Sequence, residues 1–348
     1  MNYNLSKKTD TLDQESRSSN IQKITSNWVE FWQFLKPERV GLITSLFLIA
    51  IESLATVLGP YLIAQAIDGP IKEKNVSGLL FYVGLLFMLF LVSVISSFFQ
   101  TRIMGIVAQN TLLLLRTSLF GKIQELPLAF FNQNQSGDLT SRINNDADKL
   151  NQLLSESILR FLGNFSSVLG IGIFILFLNL PLALVTLSFL IPIIILTQLI
   201  SPFVENYTKK YQIKIGELAS EIQCDLDNFR VIVAFDRRQY FEDKLIKKIQ
   251  ETEQAGRKSE FFANIFRPIY DVFSSLAVIG VMGFGFWQLQ NGQIEIGLLV
   301  GFVAYANNLY GPLRILGSIW GNIQSSLGAW ERVREILDLK SDLVIIKK

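Results

Sequence analysis

Residues Leu79 to Ile103 read LLFYVGLLFMLFLVSVISSFFQTRI, an apolar run with no charge before Arg102. A hydrocarbon core about 30 Å thick takes roughly 20 residues of helix, and a backbone left unpaired in lipid is too costly to persist. The run therefore reads as a transmembrane helix. Five more stretches read the same way: Val40 to Ile67, Ile158 to Asn179, Pro181 to Ser201, Ile269 to Leu289 and Ile296 to Leu316. Between the third and fourth of the six, Asn179, Leu180 and Pro181 predict a tight turn, because proline disfavours helix in the residue before it. Composition agrees, with 50% apolar and 18% charged residues in a chain of 348.

Charge placement orients the spans. With the N-terminus in the cytosol, 6 of the Lys and Arg precede the first span, 6 lie from Arg102 to Arg160, 12 from Lys209 to Arg267 and 6 from Arg314 onward. Only Lys72 and Lys74 of the 32 would then face outward, so both termini are expected inside. A formal net charge of +2 gives no basic surface for nucleic acid. Without histidine and with one cysteine, Cys224, the chain offers no His or Cys metal cluster, Cys-His dyad or internal disulfide. Cys224 is read as a small packed residue.

The outward connections are short, whereas Met104 to Ser157 and Pro202 to Pro268 each exceed 50 residues. Both are rich in helix formers, and Leu112, Leu115, Leu119 and Ile123 fall at helical spacing. Each excursion is predicted to be two helical arms of about 25 residues, reaching roughly 38 Å at 1.5 Å per residue. The first tip is placed near Pro127 to Gly137, with Ser136 or Asp138 as candidate helix cap, and the second near Asp227 to Arg238. Exposed Phe, Val and Ile at two such ends call for a covering protein; the alternative is that the tips pack on each other. The expected fold is an all-α membrane protein of six transmembrane helices with two long cytosolic helical extensions.

Ahead of the first span, Trp28, Phe31, Trp32 and Leu35 share a stripe, and Pro37 follows. This predicts a short interfacial helix over 28–36, broken from the span by Pro37, its aromatic face either in the headgroups or on protein. Residues 1–26 are polar and read as a disordered cytosolic tail.

The run FFNQNQSGDLTSRINNDADKL, Phe130 to Leu150, resembles the first intracellular loop of ABC exporters. The aromatic stripe, the six spans, NFRVIVAFDRRQYFEDK in the second loop and WERVREILD, Trp330 to Asp338, are similar to the same family in order. The resemblance implies that 27–338 form an exporter transmembrane domain. Phe130, Phe131, Asn132 and Gln133 would belong to the first coupling tip, and Val231, Phe235, Asp236 and Arg237 to the second, docking nucleotide-binding domains. It further implies a second transmembrane half, a homo- or heterodimer, and a hydrophobic or amphipathic substrate. The expected location is a bacterial plasma (inner) membrane. Arg142 and Asp146, at i and i+4, form either a local ion pair or part of the coupling. No G-x-x-x-x-G-K-[ST] phosphate loop occurs, so no catalytic, cofactor or metal site is expected in this chain. ATP and Mg would be bound by a missing or partner domain, with 339–348 starting the linker to it. A fragment, a split gene and a separate subunit all fit that expectation.

Within the spans, Glu52 lies about 18 Å along the first helix from Val40. It is either a contact for a cationic or polar substrate or a structural carboxyl. Asn307, Tyr310 and Arg314 make the sixth span a candidate cavity wall, and Gly311 and Pro312 are expected to kink it. Gln65, Asn164 and Gln198 are assigned to interhelical hydrogen bonds. An ion-coupled secondary transporter would use Glu52 but has no evident need of two long cytosolic rods. A motorless membrane scaffold would keep the tips and move nothing.

Overall fold

The computed structural model describes residue 31 and residues 33–339. The predicted tail, Trp28, Trp32 and all but the first residue of the expected linker lie outside the described residues. Six long helices carry the apolar stretches: α1 (Gln33–Ile71), α2 (Val76–Gln124), α4 (Ser136–Leu178), α5 (Leu180–Asp227), α7 (Arg238–Gln290) and α8 (Ile296–Leu337). Two short ones, α3 (Leu128–Gln133) and α6 (Phe229–Ala234), lie at the predicted tips. At 1.5 Å per residue the 49 residues of α2 rise about 73 Å, more than twice the hydrocarbon thickness. The excess carries α2 well beyond the bilayer as a rod, and the same holds for α4, α5 and α7.

Local chemistry sets the breaks. Asn75 starts α2 by accepting a hydrogen bond from the Gly78 amide at 3.0 Å. Asn179 is the one non-helical residue between α4 and α5, and its carboxamide oxygen accepts from the Leu182 amide at 3.1 Å. The fourth span, expected to be a single helix from Pro181, is interrupted at Phe189. Pro192 has no N–H for the Ser188 carbonyl four residues back, so the ladder opens there. Pro268 and the Asn264 carbonyl stand in the same relation, and α7 turns at Ile265.

The chain divides into two compact units. The first contains the described residues up to Phe174 and those from Ile315 onward. Its core follows the helical spacing read from sequence: Leu112, Leu115, Leu119 and Ile123 of α2 pack with Leu150 and Leu154 of α4 and with Trp330, Val333 and Ile336 of α8. Helices α1 and α2 approach closely at Gly41, where a β-carbon would stand 2.5 Å from Val107 Cγ2. Phe31 and Leu35 are buried in this core, and the Phe31 ring meets Trp330 edge-on with centroids 5.0 Å apart. The described members of the aromatic stripe therefore pack on protein, which corrects the headgroup reading. Pro37 tightens one turn, Lys36–Glu38, to a 3-10 helix and does not separate the stripe from α1.

The second unit runs from Ile175 to Arg314. In it α5 and the first half of α7 pair along their length. Tyr207 stacks on Phe262 with centroids 4.5 Å apart, Ser259 donates to the Thr208 hydroxyl at 3.3 Å, and Gly256 admits the Tyr211 ring. On α2, Phe81, Phe87 and Phe90 are largely exposed, as are Ile191 and Leu199 on α5. Such side chains left facing water forgo roughly 1.5–3 kcal/mol each. Lipid is the solvent in which this surface is at rest, and the protein is a multi-pass integral membrane protein.

Candidate functional site: two tips and a clasp

The first tip is α3, entered through Pro127 in extended conformation. Its two phenylalanines have opposite fates. Phe131 is 43% exposed, whereas Phe130 is fully buried in the core of the first unit. Phe130, expected in the first coupling tip, lies within it as its buried anchor. The exposed side is completed by Leu128, Asn132 and Gln133. Neither Ser136 nor Asp138 caps α4, whose first residue follows Gln135 with no side-chain cap; Asp138 instead accepts from Arg142 Nε at 3.0 Å.

Arg142 and Asp146 do not pair with each other. They bound a π-helical turn, Arg142–Asp146, in which i to i+5 hydrogen bonding replaces the α register that would stack i and i+4. Both reach α8. Arg142 Nη1 donates to Glu335 Oε2 at 2.7 Å and to the Arg332 carbonyl at 2.9 Å. Arg332 donates to Asp146 through Nε at 2.8 Å and through Nη2 at 2.6 Å, a two-toothed grip on the carboxylate. Arg142 and Asp146 are each only 3% exposed. Ser326 adds a hydrogen bond to the Lys149 carbonyl at 3.1 Å. The lower end of α8 and the arm returning from the first tip are clasped together. Sequence spacing does not expose this reciprocal pairing, since the partners are about 190 residues apart.

The second tip is α6, bracketed by Asn228 and a tight exit. Asp236 takes a left-handed conformation, φ 50°, and the Arg237 amide bonds back to the Ile232 carbonyl at 3.0 Å. Ile232 alone is buried; Phe229, Val231 and Phe235 are 58%, 54% and 73% exposed, and Asp236 and Arg237 are exposed beside them. The arms behind it are held by ion pairs, Glu217 Oε2 receiving Lys248 at 2.9 Å and Lys214 at 3.0 Å. Hydrogen bonds from Lys248 and Lys214 hold the Glu217 carboxyl below the usual carboxylate range, and Glu217 with Glu251 raises Lys214. Cys224, one turn before this tip, is exposed on α5, which corrects its reading as a packed residue.

Of the cavity candidates, Tyr310 is 1% exposed, and its hydroxyl donates to the Thr186 carbonyl at 2.7 Å. It ties α8 to α5 within the second unit and is corrected from cavity wall to tether. Asn307 is exposed, its amide donating to the Val303 carbonyl at 3.1 Å, and Arg314 is half-buried. Glu52 is half-buried and lines a cavity with polar side chains of α1, α2 and α4. Gln65 and Gln198 are exposed, and Asn164 donates to the Arg160 carbonyl of its own helix at 2.6 Å, so that bond is not interhelical.

Six spans drawn out into long rods that are joined by short helices at two tips define a transporter's membrane domain. Residues 42–313 match the family described as the ABC transporter transmembrane region, and the chain belongs to it. Its relatives include YfiC, an ABC transporter ATP-binding protein of Bacillus subtilis, 26% identical over 89% of this chain and 52% of that one. The ATP-dependent lipid A-core flippase of Dechloromonas aromatica is 24% identical over 89% and 53%. The fatty acid ABC transporter ATP-binding/permease protein of Mycobacterium tuberculosis is 25% identical over 72% and 40%. The chain spans about half the length of the relatives it matches.

Proposed function

We propose that the chain is the substrate-conducting half of an ATP-driven exporter, working with a second transmembrane half in a bacterial plasma membrane, both termini in the cytosol. Nucleotide-binding domains, in the same polypeptide or another, bind ATP and Mg, dock on the two tips and pull on the rods. Cargo is a hydrophobic or amphipathic molecule. One observation supports this most: apolar Phe131, Val231 and Phe235 are displayed at the far ends of rods that outreach the bilayer. Nothing about holding a span in lipid requires such ends, and a protein surface that covers them would remove their cost in water. The clasp also leaves α8 poised to hand motion of a domain beyond it to the first tip.

The test is to purify tagged protein with its ATPase partner in mild detergent and follow turnover. Phe131→Asp or Phe235→Asp lowers ATPase stimulation about tenfold or more while the membrane part still elutes as a single species. Turnover unchanged by both substitutions, or no associated ATPase, would instead favour the motorless scaffold.

A further inference from the structure

Inside the first unit, α1, α2 and α4 line a half-open cavity of about 570 Å³, within the 300–1,000 Å³ range of small-molecule sites. Its wall is unusually polar for a place among membrane spans. Glu52, Ser53 and Thr56 come from α1, Ser97, Gln100 and Thr101 from α2, and hydroxyl and amide groups from α4 complete it. Glu156 and Arg160 also line it but neutralise each other at 2.7 Å. Among the described residues lining the cavity, Glu52 is therefore the charge without an opposite, and the Ser97 hydroxyl lines the same cavity. Gln100 is 7% exposed, and its buried Oε1 has no hydrogen-bond partner. The wall thus presents one carboxylate and several hydroxyls with no cation opposite, which calls for hydrogen-bond donors that carry positive charge.

A second depression shares Ser97 and Thr101 with this cavity and continues to Val94 and Phe98. Those two side chains are 69% and 61% exposed. A polar chamber with an excess carboxylate thus adjoins an apolar track along α2. We propose that this is a binding site for an amphiphile with a primary ammonium head, the head against Glu52 and the hydroxyls of Ser97 and Thr56 and the aliphatic tail along Val94 and Phe98. An ammonium offers three N–H donors, which match a carboxylate and the surrounding hydroxyls. Arg102, which also lines the track, would repel a second cation and accept a phosphate. The same ammonium chemistry therefore suits a simple alkylamine or an aminophospholipid. That the ligand is cargo rests on the exporter reading; that it binds does not.

The experiment uses the full chain in phosphatidylcholine nanodiscs, without nucleotide, and radiolabelled dodecylamine, dodecanol and dodecanoate. Dodecylamine binds saturably and the other two do not. Glu52→Gln weakens it about tenfold or more, as expected for a charge-assisted bond worth about 1.5–3 kcal/mol. Gln100→Leu and Ser97→Ala weaken it less and guard against a folding defect at Glu52, and Glu156→Gln leaves it within about twofold, since that carboxylate already has its partner. Displacement of dodecylamine by phosphatidylethanolamine assigns the site to an aminophospholipid, and displacement by alkylamines alone to a free amine. Equal binding of dodecanol, or full affinity in Glu52→Gln with both α2 variants, overturns the proposal. Binding that survives while dodecylamine fails to stimulate the ATPase of the chain co-purified with its ATP-binding partner leaves the site standing and counts against the exporter reading.

Discussion

The two tips are built from similar sequence, an apolar cluster flanked by polar residues, yet they are supported in opposite ways. Below α3 lies a packed core: Phe130 is sealed inside it, and Arg142 and Asp146 fasten the adjoining arm to α8 through buried ion pairs. Below α6 there are only two rods joined by stacked rings and by partly exposed Lys and Glu. Most of its apolar side chains face outward. The contrast teaches that exposure of a phenylalanine in such a tip cannot be judged from the tip alone; it depends on whether a third helix arrives to cover it. Beneath α3 the core to which Phe130 belongs includes Trp330, Val333 and Ile336 from the lower part of α8.

Phe130→Ala separates the tips most sharply. It empties a fully enclosed site and should cost about 3–5 kcal/mol, read as a lowered melting transition in detergent. Phe235→Ala should leave stability within about 0.5 kcal/mol and lower only ATPase stimulation. Equal melting loss at both positions would erase the distinction.

The clasp is next in size. Asp146→Asn removes the charge that Arg332 grips, and because Arg332 is 34% exposed and can turn to water the loss should be about 1–2 kcal/mol. Exchanging the charges, Asp146→Arg with Arg332→Asp, should restore much of it, as a double-mutant cycle on melting would measure. At the arms, Lys214→Met should not shift melting detectably, because Lys248 still serves Glu217 in a solvent-exposed cluster.

The smallest effect is one of pH. The folded pKa of Glu217 lies below its unfolded value, so its contribution is fully present above the usual carboxylate range and is lost as pH falls through the depressed value. Hydrogen exchange along α5 and α7 near Glu217 should quicken modestly across that acid window and be unaffected by it at neutral pH.

Much of this was legible in the sequence because lipid and helix geometry leave few choices. Unbroken apolar runs of 20 or more residues mark spans, and the breaks at Gln124 to Ser136 and Asp227 to Arg238 fall where Pro, Asn, Gly and paired charges interrupt the pattern. Long-range pairing was not legible. The Arg142 and Asp146 spacing suggested a local pair because a π turn has no plain sequence signature, and Glu335 and Arg332 stand nearly the whole chain away. Tyr310 likewise read as polar and free when its hydroxyl is held by the Thr186 carbonyl. The aromatic stripe at Phe31 carried no mark to tell a headgroup from the indole of Trp330.

The claim on which the rest depends is that α6 stands in the cytosol and is covered there by an ATP-binding partner. It is tested by placing Phe235→Cys in a Cys224→Ser background and labelling membrane vesicles with an impermeant maleimide. Labelling confined to inside-out vesicles, and suppressed when the nucleotide-binding domain is bound, is the predicted result. Labelling from the outer face, or labelling that the bound domain leaves unchanged, would contradict it.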